Sequence, residues 1–245
     1  MATQPDLIGQ LTEIRDLADR HGVVLRALGG VAVYLHAQHP RLEPWRSFGD
    51  LDFIGRFKDA AGIKQVFADL GFESDHQLNT LHGRYRLIFE HPGTSAKVDV
   101  LLDVFQMCHR LPLLDRLALD SPTIPLADLL LTKLQILELN RKDAEDVAVL
   151  VASHPVGSGD AGEINLHHIA RLTSTDWGLF HTVARNLERM ETAEMPAGVS
   201  QLSVVEKLRA VRQAMEAAPK SMKWRMRARV GERYPWYEEV EEVNR

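Results

Sequence analysis

The chain has 245 residues, 45% of them hydrophobic, which is enough for one large domain or two of ordinary size around a buried core. A formal net charge of −5 excludes a global pull toward nucleic acid or an anionic membrane, so any such contact has to come from a local patch. The single cysteine, Cys108, excludes an internal disulfide and a cysteine-based zinc site, and it suits a reducing compartment. The start at Met1–Asp6 lacks a signal-peptide profile, and the longest apolar run, around Leu129–Leu131, is too short for a bilayer. The expectation is a soluble, cytoplasmic protein.

Pro5–Arg20 places Leu7, Ile8, Leu11, Ile14, Leu17 and Ala18 at helical spacing, and His21-Gly22 ends that helix. Val23–Leu28 is a short β-rich run, Gly29-Gly30 follows at once, and Val31–His36 reads as a helix. In a strand–glycine–helix device the backbone can approach a ligand closely, and free N–H groups at the helix start attract anions. The plainer reading is a tight turn that needs glycine for steric reasons. His39–Gly49, with Pro40, Pro44, Trp45 and Arg46, is a loop leading into Asp50-Leu51-Asp52-Phe53. On a strand, alternate side chains share a face, so Asp50 and Asp52 project together while Leu51 and Phe53 are buried. Two carboxylates held that close repel each other unless a cation sits between them, and Mg²⁺ prefers such oxygen ligands. The alternative is a polar turn before a strand.

Lys58–Leu70 predicts a second amphipathic helix, Phe72 begins a strand, and Asp75–Gly83 is a polar loop. Arg84–Phe89 predicts a strand, His91–Thr94 a turn, and Ala96–Phe105 is the strongest β run in the chain. Asp99 inside that run is costly to bury alone. It is either a site carboxylate or half of a salt bridge to Lys97 or an arginine. Leu126–Leu139 predicts a helix with Asp128 near its start and Lys133 within it, and Arg141–Asp146 leads into another. Pro155–Gly159 reads as a linker. Beyond it only helices are expected, over Ile164–Leu172, Trp177–Met190 and Val204–Ala217. Lys220–Arg233 is a basic stretch: either a solvated helix face, or a grip on a phosphate backbone with Trp224 stacking on a base. The acidic end, Glu238–Glu242, is a third partner for it. The histidines show no metal-ligand spacing, and no Gly-x-Ser-x-Gly or Walker-type loop occurs.

Taken in order, Leu28-Gly29-Gly30, Asp50-Leu51-Asp52 and Val98-Asp99-Val100 resemble the nucleotidyltransferase superfamily of polymerase-beta-like enzymes. Within it, Leu129-Leu130-Leu131-Thr132-Lys133-Leu134 followed by Arg141-Lys142-Asp143-Ala144-Glu145-Asp146 is similar to the AbiEii-type branch, which includes toxins of bacterial toxin–antitoxin systems. The resemblance implies an α/β (α+β) fold, a mixed sheet flanked by helices with an all-helical C-terminal part. Its divisions would be a core over 1–122, a helical extension completing the nucleotide site over 123–160, and a helical region over 161–245. It further implies transfer of a nucleoside monophosphate from an NTP to a hydroxyl, which needs positioning and charge neutralisation more than covalent work. Asp50, Asp52 and Asp99 would hold Mg²⁺ or Mn²⁺ and, with Lys133, act in catalysis. Gly29, Gly30, Arg46, Lys133 and Asp143 would bind the nucleotide. Asp143 could equally be a helix N-cap, and Asp146 would orient a basic neighbour. The implied acceptor is an RNA 3′ end such as tRNA, or a protein side chain; an antitoxin is an implied partner, and a membrane is not. Two departures stand out: the segment Val31–Gly49 is longer than usual, implying an inserted loop, and Phe48 stands where the branch often has threonine. Two other readings follow from the same resemblance, a nucleotide-binding module without turnover and an aminoglycoside nucleotidyltransferase.

Overall fold

The structure, a computed structural model, describes residues 4–37, 48–94 and 96–239, without the side chains of residues 4–6 and 81. The described chain divides into two compact units. The first takes the residues up to 105 together with 112–125; the second takes 106–111 and the residues from 126 onward.

The first unit is built on a five-stranded mixed sheet of order β1-β2-β5-β4-β3. Its strands are β1 (Leu25–Leu28), β2 (Asp50–Gly55), β3 (Glu73–Ser74), β4 (Arg86–Glu90) and β5 (Lys97–Leu102). β2 and β5 run parallel, and the other neighbours are antiparallel. Alternation gives the sheet two unlike faces. Leu51, Phe53, Leu87, Phe89, Val98 and Val100 are all buried on one of them. Phe67 of α3 (Ala60–Asp69) stacks on Phe89 at 4.3 Å between centroids and meets Phe53 edge-on at 6.4 Å. Truncating a ring held that way costs about 3–5 kcal/mol. α1 (Gln4–Arg20) adds Leu7, Leu11, Ile14 and Ala18 to the core, one stripe at helical spacing. The edge of β1 is not bare: Ala27 N–H donates to the Pro122 carbonyl, and Ile124 N–H to that of Ala27.

Residues 76–82, expected as loop, form α4 (His76–His82). Asp75 caps it by accepting from Leu78 N–H, and the Asn79 side chain bonds both the N–H and the carbonyl of Ile88. That helix is polar and short, so its periodicity is silent; its cap and its grip on β4 hold it. Two-residue strands β6 (Phe105–Gln106) and β7 (Arg110–Leu111) follow β5.

The second unit is mainly helical: α5 (Leu126–Leu134), α6 (Arg141–Ser153), α7 (Leu166–Thr175), α8 (Trp177–Met190), α9 (Gln201–Ala217) and α10 (Met222–Val230). Asn140, Asn165, Asp176, Ser200 and Ser221 cap α6 to α10, each accepting from the amide three residues on. α5 stops well short of the expected Leu139. Asn186 donates to the carbonyls of Leu134 and Ile136, and Arg189 to that of Leu137, so side chains of α8 take over the helix-terminal acceptors. The stretch expected as a linker contains β8 (Val156–Gly157), paired in parallel with β9 (Ile164–Asn165), so helices are not the only structure beyond it. No helix of the described residues is long and apolar enough to cross a membrane.

Candidate functional site

The face of the sheet opposite the Phe67 core gathers the charge. On β2 it carries Asp50 and Asp52, both half-buried, and on β5 Lys97, Asp99 and Leu101. The register sets Asp50 opposite Lys97 and Asp52 opposite Asp99, in a parallel pair where opposite residues share a face. On the other flank of Asp52 is Leu28, the last residue of β1, and α2 (Gly29–His36) begins at the next position. Leu28 offers that helix no side-chain cap.

Gly29 has φ +76°, and a Cβ there would fall on the carboxylate of Asp52, within 3.1 Å of its Cγ. Any side chain would therefore be strained in its backbone and in collision with the acid. The tight-turn reading of the glycine and the ligand-approach reading meet at this position. The glycine is required sterically, and what it clears room for is a carboxylate of the Asp-x-Asp pair.

Asp99 does not stand alone. Arg86 on β4 grips it with two bonds, Nε to Oδ1 at 2.8 Å and Nη2 to Oδ2. These bonds raise the already high pKa of the guanidinium against the effect of burial, and the charge of Asp52 adds to the rise. Arg86 therefore belongs to the same electrostatic neighbourhood as Asp52 and Asp99. An arginine partner for Asp99 was one of the readings the sequence offered, but not that the arginine is Arg86. Alternation along Arg84–Phe89 puts Arg86 and Ile88 on one face, but the pairing of β4 with β5 is a long-range fact.

The donor set suits a hard divalent ion in kind, being three carboxylates on one face. Its arrangement does not. Both oxygens of Asp99 are engaged by Arg86, and no group of three His, Cys, Asp or Glu among the described residues is disposed to hold a metal. The expected ion shared by Asp50, Asp52 and Asp99 does not fit these side chains as they stand. Arg46 lies outside the described residues.

Lys133 and Asp143 belong to the second unit and form a cluster of their own. Lys133 Nζ is 2.9 Å from Asp143 Oδ1 and 2.9 Å from Asp146 Oδ2. Burial works against the charged lysine, yet Asp146 and Asp143 outweigh it and raise its pKa. Lys133 is thus a mostly buried, paired cation and not a solvated surface lysine. Asp143 is not the N-cap of α6 either. Asn140 is, and the two close a reciprocal box, Asp143 N–H to Asn140 Oδ1 at 2.9 Å and Asn140 Nδ2 to Asp143 Oδ2 at 2.8 Å. Asp146 sits on a basic neighbour, Lys133.

The same unit buries a second acid–base pair. His168 Nε2 is 2.7 Å from Asp128 Oδ1, and Arg171 Nη2 is 3.2 Å from His168 Nδ1. Arginine can only donate, so Nδ1 accepts and Nε2 carries the proton given to Asp128. In the basic stretch, half-buried Trp224 packs edge-on against Phe180 at 5.3 Å.

No protein-family model and no curated protein matches the chain. Among solved structures it is similar to the antibiotic-resistance factor ANT(2'')-Ia, described with substrate-regulated conformation dynamics. The identity is 10% and the TM-score 0.40, over 95% of this chain and 100% of that one. At that score the likeness assigns neither fold family nor activity.

Proposed function

We propose that the first unit binds a nucleoside triphosphate at its carboxylate face, and that the protein is a nucleotidyltransferase of the polymerase-beta-like type. The observation that supports this best is the convergence of three segments far apart in the chain. Gly29 lies against Asp52, Asp52 shares a face with Asp50, and Asp99 is its register partner on β5. In the proposed reaction an acceptor hydroxyl oxygen attacks the α-phosphorus of the NTP. The bond to the bridging oxygen breaks, pyrophosphate leaves, and the hydroxyl proton passes to a carboxylate of this face and then to solvent. The amides of Gly29 and Gly30 at the uncapped start of α2 are the proposed phosphate contacts. Asp50, Asp52 and Asp99 are the proposed catalytic acids, and Lys133 and Asp143 remain part of the proposal as nucleotide-binding residues of the second unit. The finer reading is AbiEii-like: transfer to an RNA 3′ end such as tRNA, or to a protein side chain, by a toxin controlled by an antitoxin. Mg²⁺ enters the proposal through its test alone.

The grip of Arg86 on Asp99 favours a second reading, a module of this fold that holds nucleotide without turnover. The test is incubation with each α-labelled NTP, with and without Mg²⁺, in the presence of cellular RNA, cellular protein or an aminoglycoside. Label should move to one acceptor class with the wild-type chain and not with Asp52→Asn. Undiminished labelling by that variant overturns the proposal. Nucleotide bound and returned intact by the wild type selects the second reading.

A further inference from the structure

From the outward face of α10 we infer a binding surface for a single-stranded nucleic acid, held by its phosphodiester backbone and without base selection. Two features of the helix separate its faces. Ser221 caps it, Trp224 packs on Phe180, and Arg227 lies over the Trp177 ring at 4.8 Å while donating to the carbonyls of Gly231, Tyr234 and Pro235. That inner side anchors the helix to α8 and to the segment that follows. The outer side carries Lys223, Arg225 and Arg229, with Arg233 just beyond its end, all exposed and without a carboxylate partner among the described residues.

Single cations without a carboxylate partner among the described residues also occur at Arg110, Lys142 and Arg185 of this unit, and what sets α10 apart is that four lie together. Elsewhere in the same unit Arg141 sits on Glu145, Arg209 on Glu191, and Arg212 on both Glu188 and Glu216. Glu232, the acid next to Arg233, is taken by His181. A chain of net charge −5 thus concentrates, on about three helical turns, four cations with no carboxylate partner among the described residues. Such a patch is complementary to a polyanion, and guanidinium groups suit phosphate oxygens in particular. Trp224 is packed against Phe180, whereas Tyr234, next to Arg233, is 70% exposed, so the patch offers charge with one open ring at its end, as suits an unpaired strand held mainly by its phosphates. The apolar part of the face, chiefly Met222 and Met226, is a narrow stripe with cations on both sides. That is not the wide apolar face with which a helix lies in a lipid interface.

This inference stands apart from nucleotidyl transfer, since it concerns equilibrium binding in the absence of NTP. Fluorescence anisotropy of the full chain with labelled single-stranded RNA, and with DNA of the same sequence, measures it across a salt series. Four phosphate contacts predict log K falling with log[salt] at a slope of about −3. In Arg225→Gln/Arg229→Gln the slope should shrink by about 1.4 and low-salt affinity should fall tenfold or more. Neither arginine makes a side-chain hydrogen bond or ion pair among the described residues, and a melting curve checks that the variant stays folded. RNA and DNA should bind within a few-fold of each other, and Met222→Ser/Met226→Ser should bind as wild type. The inference is overturned by salt-independent binding, by an arginine variant that binds as wild type, or by a methionine variant that loses more than the arginine variant. Binding to phosphatidylserine vesicles with none to RNA or DNA overturns it in favour of a lipid surface.

Discussion

Each unit contains carboxylates gathered near a partly or mostly buried cation, Arg86 in the first and Lys133 in the second, and the two are built differently. In the second unit Lys133 touches Asp143 and Asp146, Asp143 is also bonded by Asn140, and the side chain of Asp146 is fully buried. In the first unit Arg86 spends both of its bonds on Asp99 and is 26% exposed, while Asp50 and Asp52 share its face half-buried. Equal chemistry therefore yields a mutually paired, mostly buried cluster in one place and a face with two half-buried acids beside its ion pair in the other. Burial with complete pairing locks a cluster, whereas a partner at the surface can be exchanged for a ligand.

That contrast can be broken from the side of the Lys133 cluster first. Lys133→Met should cost about 3–5 kcal/mol in urea unfolding, because two carboxylates, one of them fully buried, lose their cation. Arg86→Met should cost less, about 1.5–3 kcal/mol, since the freed Asp99 can turn to solvent. Equal losses in the two variants would make the Arg86 pair a second locked cluster and remove the distinction. Gly29→Ala should cost about 1–2 kcal/mol from its left-handed backbone alone. It should also push the Asp52 carboxylate aside, lowering nucleotide affinity in calorimetry; a variant that binds as wild type would separate the glycine from the acid.

The smallest effect expected is one of pH. Burial pushes the imidazole of His109, which is bonded to Thr182 at 2.8 Å, below its ordinary value, against the pull of Asp176 and Glu238. A His with a depressed folded pKa is bound to fewer protons than in the unfolded chain. Its share of stability is present above about pH 6.5 and is lost as the pH falls from there through the folded value. His109→Gln should therefore show a shallower drop in melting temperature between neutral and mildly acidic pH than the wild type.

Much of the architecture is written in local sequence. The stripe Leu7, Leu11, Ile14, Ala18 marks α1, alternation marks β2 and β5, and the span of α8 is legible to the residue because Asp176 caps an amphipathic run. The Asp-x-Asp pair was legible for the same reason, as a two-residue period needs no knowledge of neighbours. α4 was not, being too short and polar to carry a period, and neither was the early end of α5, which depends on Asn186 and Arg189 more than fifty residues away.

Spacing alone thus determined strands and helices in alternation followed by mostly helical chain, and which acids face the same way along each strand; the mixed sheet was implied by the resemblance. Only the tertiary structure decided what those acids meet: Asp52 against Gly29, Asp99 in the hold of Arg86, Lys133 enclosed by its own carboxylates. The physical reason is range. Periodicity and capping act over a few residues, whereas the partner of a buried charge is set by strand register and helix packing between distant segments, which no local window contains.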